Sequence, residues 1–128
     1  MRLLLDTHIL LWLAVDILPP AAAEYVLDTS NRLLFSPASI WEVAIRRGLS
    51  SSDFDVDPNL LHSGLLDNGY EELAITARHA LLTGTMPMIH KDPFDRILLA
   101  QSIAESIPLL TADSALTQYQ APVIFVRK

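Results

Sequence analysis

The feature that most limits the fold is a series of short, wholly apolar runs, each leading at once into a polar turn and then a helix-like pattern. Leu3-Leu4-Leu5, Leu33-Leu34-Phe35, Leu109-Leu110 and Val123-Ile124-Phe125-Val126 do not alternate apolar with polar residues, so each reads as a strand covered on both faces. Between them lie helix signals. Asp6 or Thr7 caps a helix over 7–14. Pro19-Pro20 opens a second through Ala21, Ala22, Ala23, Val26 and Leu27, with Asn31 marking its end. Ser36-Pro37 supplies the N-cap and first residue of a helix carrying Ile40, Trp41, Val43, Ala44 and Ile45, closed after Arg47 by Gly48.

The polar stretch 50–57 reads as a loop. A helix over 58–66 ends at Asn68-Gly69, a brief strand covers 70–73, and a helix spans 76–82 before Gly84. Residues 86–91 are extended or looped. Asp92-Pro93-Phe94-Asp95 has the form of N-cap to N3 of a helix reaching Glu105, with Asp95 turned back toward the cap. Thr111-Ala112-Asp113 turns from the late strand into a short helix. Strands alternating with helices predict a three-layer α/β/α sandwich around a short parallel sheet, in a single domain spanning 1–128.

In such a sheet ligands bind beyond the carboxyl ends of the strands, and Asp6 and Asp113 occupy those turns. Glu42 lies about two turns into its helix. The helical wheel puts it between Ala38 and Ile45 on one side and Ser39 and Arg46 on the other, a boundary position suited to a cleft lip. Asp95 begins a helix that can pack at the same end. Carboxylates gathered this way repel unless protonated or bridged by cations. The chain has no cysteine, so a metal is held by oxygen or imidazole donors, which favours Mg²⁺ or Mn²⁺. Each acid also has a plainer role open to it: Asp6, Asp95 and Asp113 as helix caps, Glu42 as the partner of Arg46.

The sequence wording is more specific than the spacing. Leu4-Leu5-Asp6-Thr7-His8, Ser36-Pro37-Ala38-Ser39-Ile40-Trp41-Glu42-Val43-Ala44, His90-Lys91-Asp92-Pro93-Phe94-Asp95-Arg96-Ile97-Leu98-Leu99-Ala100-Gln101-Ser102 and Thr111-Ala112-Asp113 follow one another in that order. Together they resemble the PIN-domain family, in particular the VapC-type toxin ribonucleases of toxin–antitoxin pairs. The resemblance spans essentially the whole chain. It implies a catalytic and metal-holding quartet of Asp6, Glu42, Asp95 and Asp113, an endoribonuclease activity dependent on Mg²⁺ or Mn²⁺, a homodimer, and a cognate antitoxin whose tail covers the active site.

Thr7, His8, Asp92 and Thr111 stand beside the quartet as supporting candidates. The threonine hydroxyls suit the orientation of an Asp or a metal water, and Asp92 also suits a cap. Arg46, Lys91 and Arg96, with His90 and Arg47, are candidates for a phosphate-binding rim. The formal charge of −6 excludes a broad basic nucleic-acid surface, so any RNA contact is local. No apolar run approaches the roughly 20 residues that span a bilayer, and no cleavage site follows the apolar start, so a cytoplasmic protein is expected. The competing readings are a catalytically silent PIN-like binding module and another metal-dependent phosphodiesterase. A phosphotransfer receiver would want a Lys after the late strand, where Thr111-Ala112-Asp113 stands.

Overall fold

The computed structural model describes residues 1–49 and 55–128. The first part of the loop expected over 50–57, residues 50–54, lies outside the described residues. The described residues build one parallel sheet from β1 (Arg2–Leu5), β2 (Arg32–Phe35), β3 (Glu71–Glu72), β4 (Leu109–Thr111) and β5 (Val123–Phe125), in the order β3-β2-β1-β4-β5. Around it pack α1 (Thr7–Ala14), α2 (Pro20–Val26), α3 (Pro37–Gly48), α4 (Pro58–Asp67), α5 (Ala77–Thr83), α6 (Pro93–Glu105) and a 3₁₀ helix (Ser114–Gln118).

Pleating splits the apolar runs between two cores. Leu3, Leu5, Phe35 and Leu110 point to one face, where they meet Ile9 and Leu10 of α1, Val26 of α2, Val43 of α3 and Leu61 and Leu65 of α4. Leu4, Leu34 and Leu109 point to the other, against Leu98 and Leu99 of α6 with Ile107, Leu116 and Tyr119. Burying each such side chain contributes roughly 1.5–3 kcal/mol, so strands with no polar face are stable only between two helical layers. The fold is the expected α/β/α sandwich.

The order of strands positions the site. The chain runs outward from β1 through β2 to β3, then returns to lay β4 and β5 on the opposite side of β1. β1 and β4 therefore pair directly, Leu4 beside Leu109 and Leu5 beside Leu110, and their carboxyl ends flank the topological switch point of the sheet.

Several boundaries differ from the expectation. The strand expected over 70–73 is only Glu71–Glu72, because it is an edge strand held by Leu34 and Phe35 and by the ion pair of Arg32 with Glu71 at 2.6 Å. Gly48 does not end α3 in a left-handed turn; it is the last helical residue, and Leu49 caps in a right-handed conformation. The left-handed cap sits instead at Ser106, after α6, with φ 54°. The final strand stops at Phe125.

Candidate metal centre

Asp6 is the first residue beyond β1. Its backbone N–H donates to the Leu110 carbonyl at 3.1 Å, which locks it to β4, and its Oδ1 caps α1 by accepting from the Ile9 N–H at 3.0 Å. Its Oδ2 accepts from the Thr111 hydroxyl, and the Asp113 N–H in turn donates to that same Thr111 oxygen at 3.0 Å. Thr111 thus ties together the two acids that end neighbouring strands. Asp6 is almost fully buried, and burial pushes its carboxyl up; hydrogen bonds from Thr111 and Ile9 and the charge of His8 oppose this, while the charge of Asp113 adds to it.

Asp113 caps the 3₁₀ helix through Oδ1, which accepts from the Ala115 N–H at 3.0 Å. Its Oδ2 lies 3.8 Å from His90 Nε2. Asp92 caps α6, accepting from Phe94 N–H at 2.9 Å and Asp95 N–H at 3.5 Å. Asp95 was expected to reach back to that cap. It turns instead to His90, whose Nε2 stands 2.8 Å from Asp95 Oδ2. Asp95 is pushed up to about 7, first by burial, then by the charge of Asp92, with smaller upward pushes from Asp6 and Glu42 against the downward pull of the His90 hydrogen bond. These mutual effects put Asp6, Glu42, Asp92, Asp95 and Asp113 within one electrostatic neighbourhood at the switch point.

Glu42 departs from the expected cleft-lip position. Only 4% of its surface is exposed, because α3 packs against α1, α4 and α6 at this level and leaves little of that helix face open. Its Oε2 pairs with the Arg46 guanidinium at 2.7 Å, so the plainer i, i+4 reading is realised, yet its Oε1 is buried with no hydrogen-bond partner. An orphaned carboxylate oxygen in a dry site is costly unless something positive meets it.

The remaining candidates divide. Thr7 donates to the Ser39 hydroxyl at 3.0 Å, fastening α1 to α3 rather than orienting an acid. His8 stacks at a tilt on Trp12, with ring centroids 5.8 Å apart, and with Asp6, Asp113 and Lys128 lines an open pocket of about 250 Å³. Lys91 is exposed. Arg96, expected on the phosphate rim, is buried: its guanidinium donates to the carbonyls of Thr83, Met86, Pro87 and His90 and to the Tyr119 hydroxyl, at 2.7–3.4 Å. Both terminal nitrogens of its planar fork are spent on that ring of acceptors, so the guanidinium head is not presented to a phosphate. Arg47 faces Asp55 and Asp57 at 3.3 Å, away from the acids.

Two groups near the acids carried little sequence signal. Lys128 stands 5.5 Å over the Trp12 ring, and the only hint of it was that the last parallel strand must deliver the following residues to the same end of the sheet. His90 read as one more rim cation. Its backbone is pinned by Tyr119 and Arg96, and its ring is turned onto Asp95 and Asp113.

The PIN domain family matches residues 3–122 of this chain, nearly its full length. The chain belongs to the PIN-domain family. Several solved structures share its architecture over nearly the whole chain. VapBC2 from Rickettsia felis, bound to a fragment of its promoter DNA, aligns with a TM-score of 0.71 at 18% identity over 99% of this chain and 98% of that one. VapBC from Salmonella typhimurium, also bound to DNA, gives 0.70 at 16% over 98% of each. FitAcB from Neisseria gonorrhoeae gives 0.69 at 15% over 97% and 96%. At these identities the likeness is one of fold. No relative matches among curated protein sequences.

Proposed function

We propose that this PIN domain is a divalent-cation-dependent endoribonuclease, the toxin of a VapBC-type pair, with Mg²⁺ or Mn²⁺ held by Asp6, Glu42, Asp95 and Asp113. The observation that carries the reading is the mutual electrostatic effect of these carboxylates at the β1–β4 switch point, with Asp95 and Asp113 at ligand spacing beside His90, Glu42 Oε1 buried and orphaned, and Asp95 pushed up to about 7. A hard cation fits such a donor set, being the group that relieves both the repulsion and the orphaned oxygen. When bound, it supplies Lewis acidity toward a phosphodiester and makes a coordinated water easier to deprotonate.

The chain's own residues divide the remaining work. Thr111 and the Ile9 N–H fix the rotamer of Asp6, and the Ala115 N–H does the same for Asp113. Arg46 holds one oxygen of Glu42 and leaves the other for the cation. Glu42 or Asp95 helps to orient the attacking water. Lys91 and Lys128, with the half-exposed Arg46, supply the positive charge that receives RNA phosphates beside an acidic site.

Two surfaces suit protein partners. The fold neighbours from Rickettsia felis and Salmonella typhimurium are VapBC proteins bound to DNA. An apolar groove of about 800 Å³ between α1, α2 and α4, lined by Leu10, Leu13, Val26, Leu27, Leu60 and Leu65, suits an apolar segment of an antitoxin. The outer face of α3 presents Trp41, Ile45 and Leu49 at helical spacing, all exposed, and suits a second copy of the chain.

Cleavage of structured and unstructured RNA by purified protein, with Mg²⁺, Mn²⁺ or EDTA, tests the enzymatic reading. Cleavage with cation and none in EDTA or with Asp6→Asn is expected; cleavage indifferent to both would sink it.

A further inference from the structure

The four-acid reading leaves His90 unused, although its ring is turned onto two of the acids. Its Nε2 stands 2.8 Å from Asp95 Oδ2 and 3.8 Å from Asp113 Oδ2, and the donor atoms of the three residues all lie within 4.8 Å of one another. Donors on neighbouring positions of an octahedral ion with bonds of about 2.1 Å stand about 3 Å apart, and donors on opposite positions about 4.2 Å. The 3.8 Å separation falls within that span and the 2.8 Å one just short of it.

The placement of His90 is built. Its backbone N–H donates to the Tyr119 hydroxyl at 2.8 Å, and its carbonyl accepts from Arg96 Nη1 at 3.4 Å. Tyr119 and Arg96 are themselves buried, and the remaining Arg96 donors grip the carbonyls of Thr83, Met86 and Pro87. The whole turn from α5 to α6 is thereby wound around one guanidinium, with His90 delivered at its end. A second observation points to a cation beside these residues: Glu42 Oε1, on a side chain only 5% exposed, is buried without a hydrogen-bond partner although Arg46 holds its other oxygen, and the charge of Glu42 raises Asp95.

We propose that His90 is a nitrogen ligand of the cation site together with Asp95 and Asp113, so that the site selects Mn²⁺ over Mg²⁺. The proposal rests on the metal-site reading above and adds a donor that the acidic quartet lacks. Mg²⁺ binds all-oxygen sets and keeps its waters, whereas imidazole is a better donor to first-row transition ions, and Mn²⁺ accepts both carboxylate and imidazole. Arg96 and Tyr119 are positioning residues in this scheme, acting through the His90 backbone.

The test is cation binding by the metal-free full chain, read by calorimetry with Mn²⁺ and with Mg²⁺ and by electron spin resonance of bound Mn²⁺. Wild type is expected to bind Mn²⁺ more tightly than Mg²⁺ and to show nitrogen hyperfine coupling on the bound ion. His90→Asn, which keeps a polar side chain on an intact backbone clamp, is expected to lose the coupling and on the order of tenfold in Mn²⁺ affinity, with Mg²⁺ affinity little changed. Tyr119→Phe is expected to weaken Mn²⁺ selectivity while the coupling persists. Bound Mn²⁺ without nitrogen coupling in wild type would overturn the assignment of His90 and leave the acidic site standing. No binding of either ion would overturn both.

Discussion

The carboxyl end of the sheet and the groove between α1, α2 and α4 are concave regions of opposite character. At the sheet end, several carboxylates are buried or half-buried near one another, each fixed by a named polar contact; the charge of Asp113 raises Asp6, and those of Asp92, Asp6 and Glu42 raise Asp95. In the groove, apolar side chains such as Leu27 and Leu60 lie three-quarters and nearly three-quarters exposed, and the polar residues at its edge, Asp28 and Asp57, hold their charges below the usual carboxylate range through local hydrogen bonds. One region is polar and carries carboxylates whose charges oppose one another; the other exposes apolar side chains to solvent. On the proposed function the first would hold the cation and the second a partner, so that each could be disturbed without the other.

The largest effect belongs to the acids. Asp6→Asn keeps a side chain that can cap α1 and removes one negative donor. RNA cleavage is expected to fall on the order of 10³-fold, the scale of several kcal/mol of lost charge stabilisation, with a melting temperature equal to or above that of wild type. If cleavage and melting temperature fell together, Asp6 would be a structural cap and the contrast between the two regions would fail.

Arg96 comes next, because it links the core to the site. Arg96→Leu leaves carbonyls of the turn between α5 and α6 without their donor, at a cost of about 1–3 kcal/mol in unfolding free energy measured by denaturant titration. Groove behaviour is expected to be unaffected.

The pH dependence separates the regions again. Asp95 holds its proton up to about 7 in the folded chain and loses it near 3.8 when unfolded, so between those values the folded state binds more protons. Stability of the metal-free protein is expected to fall as pH rises across that window, and a saturating divalent cation to restore more of it at pH 8 than at pH 5 in thermal melts. Asp95→Asn should flatten the decline. A metal-free melting temperature that climbs through the window would contradict the crowding on which the site depends.

The same contrast explains what could be read from the sequence. Leu3 to Leu5 and Leu109-Leu110 carry their environment in their composition, since a strand with no polar face has one stable location. Asp6 and Asp113 could be placed at strand ends because caps and turns are local. The burial of Glu42 was out of reach, because a helical wheel shows which residues share a face and not which helices close over it. Arg96 failed for a similar reason: a charge in the first turn of a helix reads as solvated, and only the folded path of 83–90 supplies the carbonyls that bury it. His90 meets Asp95 and Asp113 through that same path, and β3 exists only by its register with Leu34 and Phe35.

The smallest effect on the isolated protein is the one that isolates the groove. Leu27 and Leu60 are 75% and 71% exposed, so Leu27→Asp and Leu60→Asp remove little buried area, and each is expected to change unfolding free energy by no more than about 0.5 kcal/mol. RNA cleavage should match wild type, since neither residue approaches the acids. Inhibition by a cognate antitoxin should weaken sharply, because each substitution puts an unpaired carboxylate into an apolar interface, and co-purification over a tagged antitoxin reads this directly. Retained inhibition with both substitutions would move the partner off this groove and toward the acidic end, leaving the exposed leucines without the role that distinguishes the two regions.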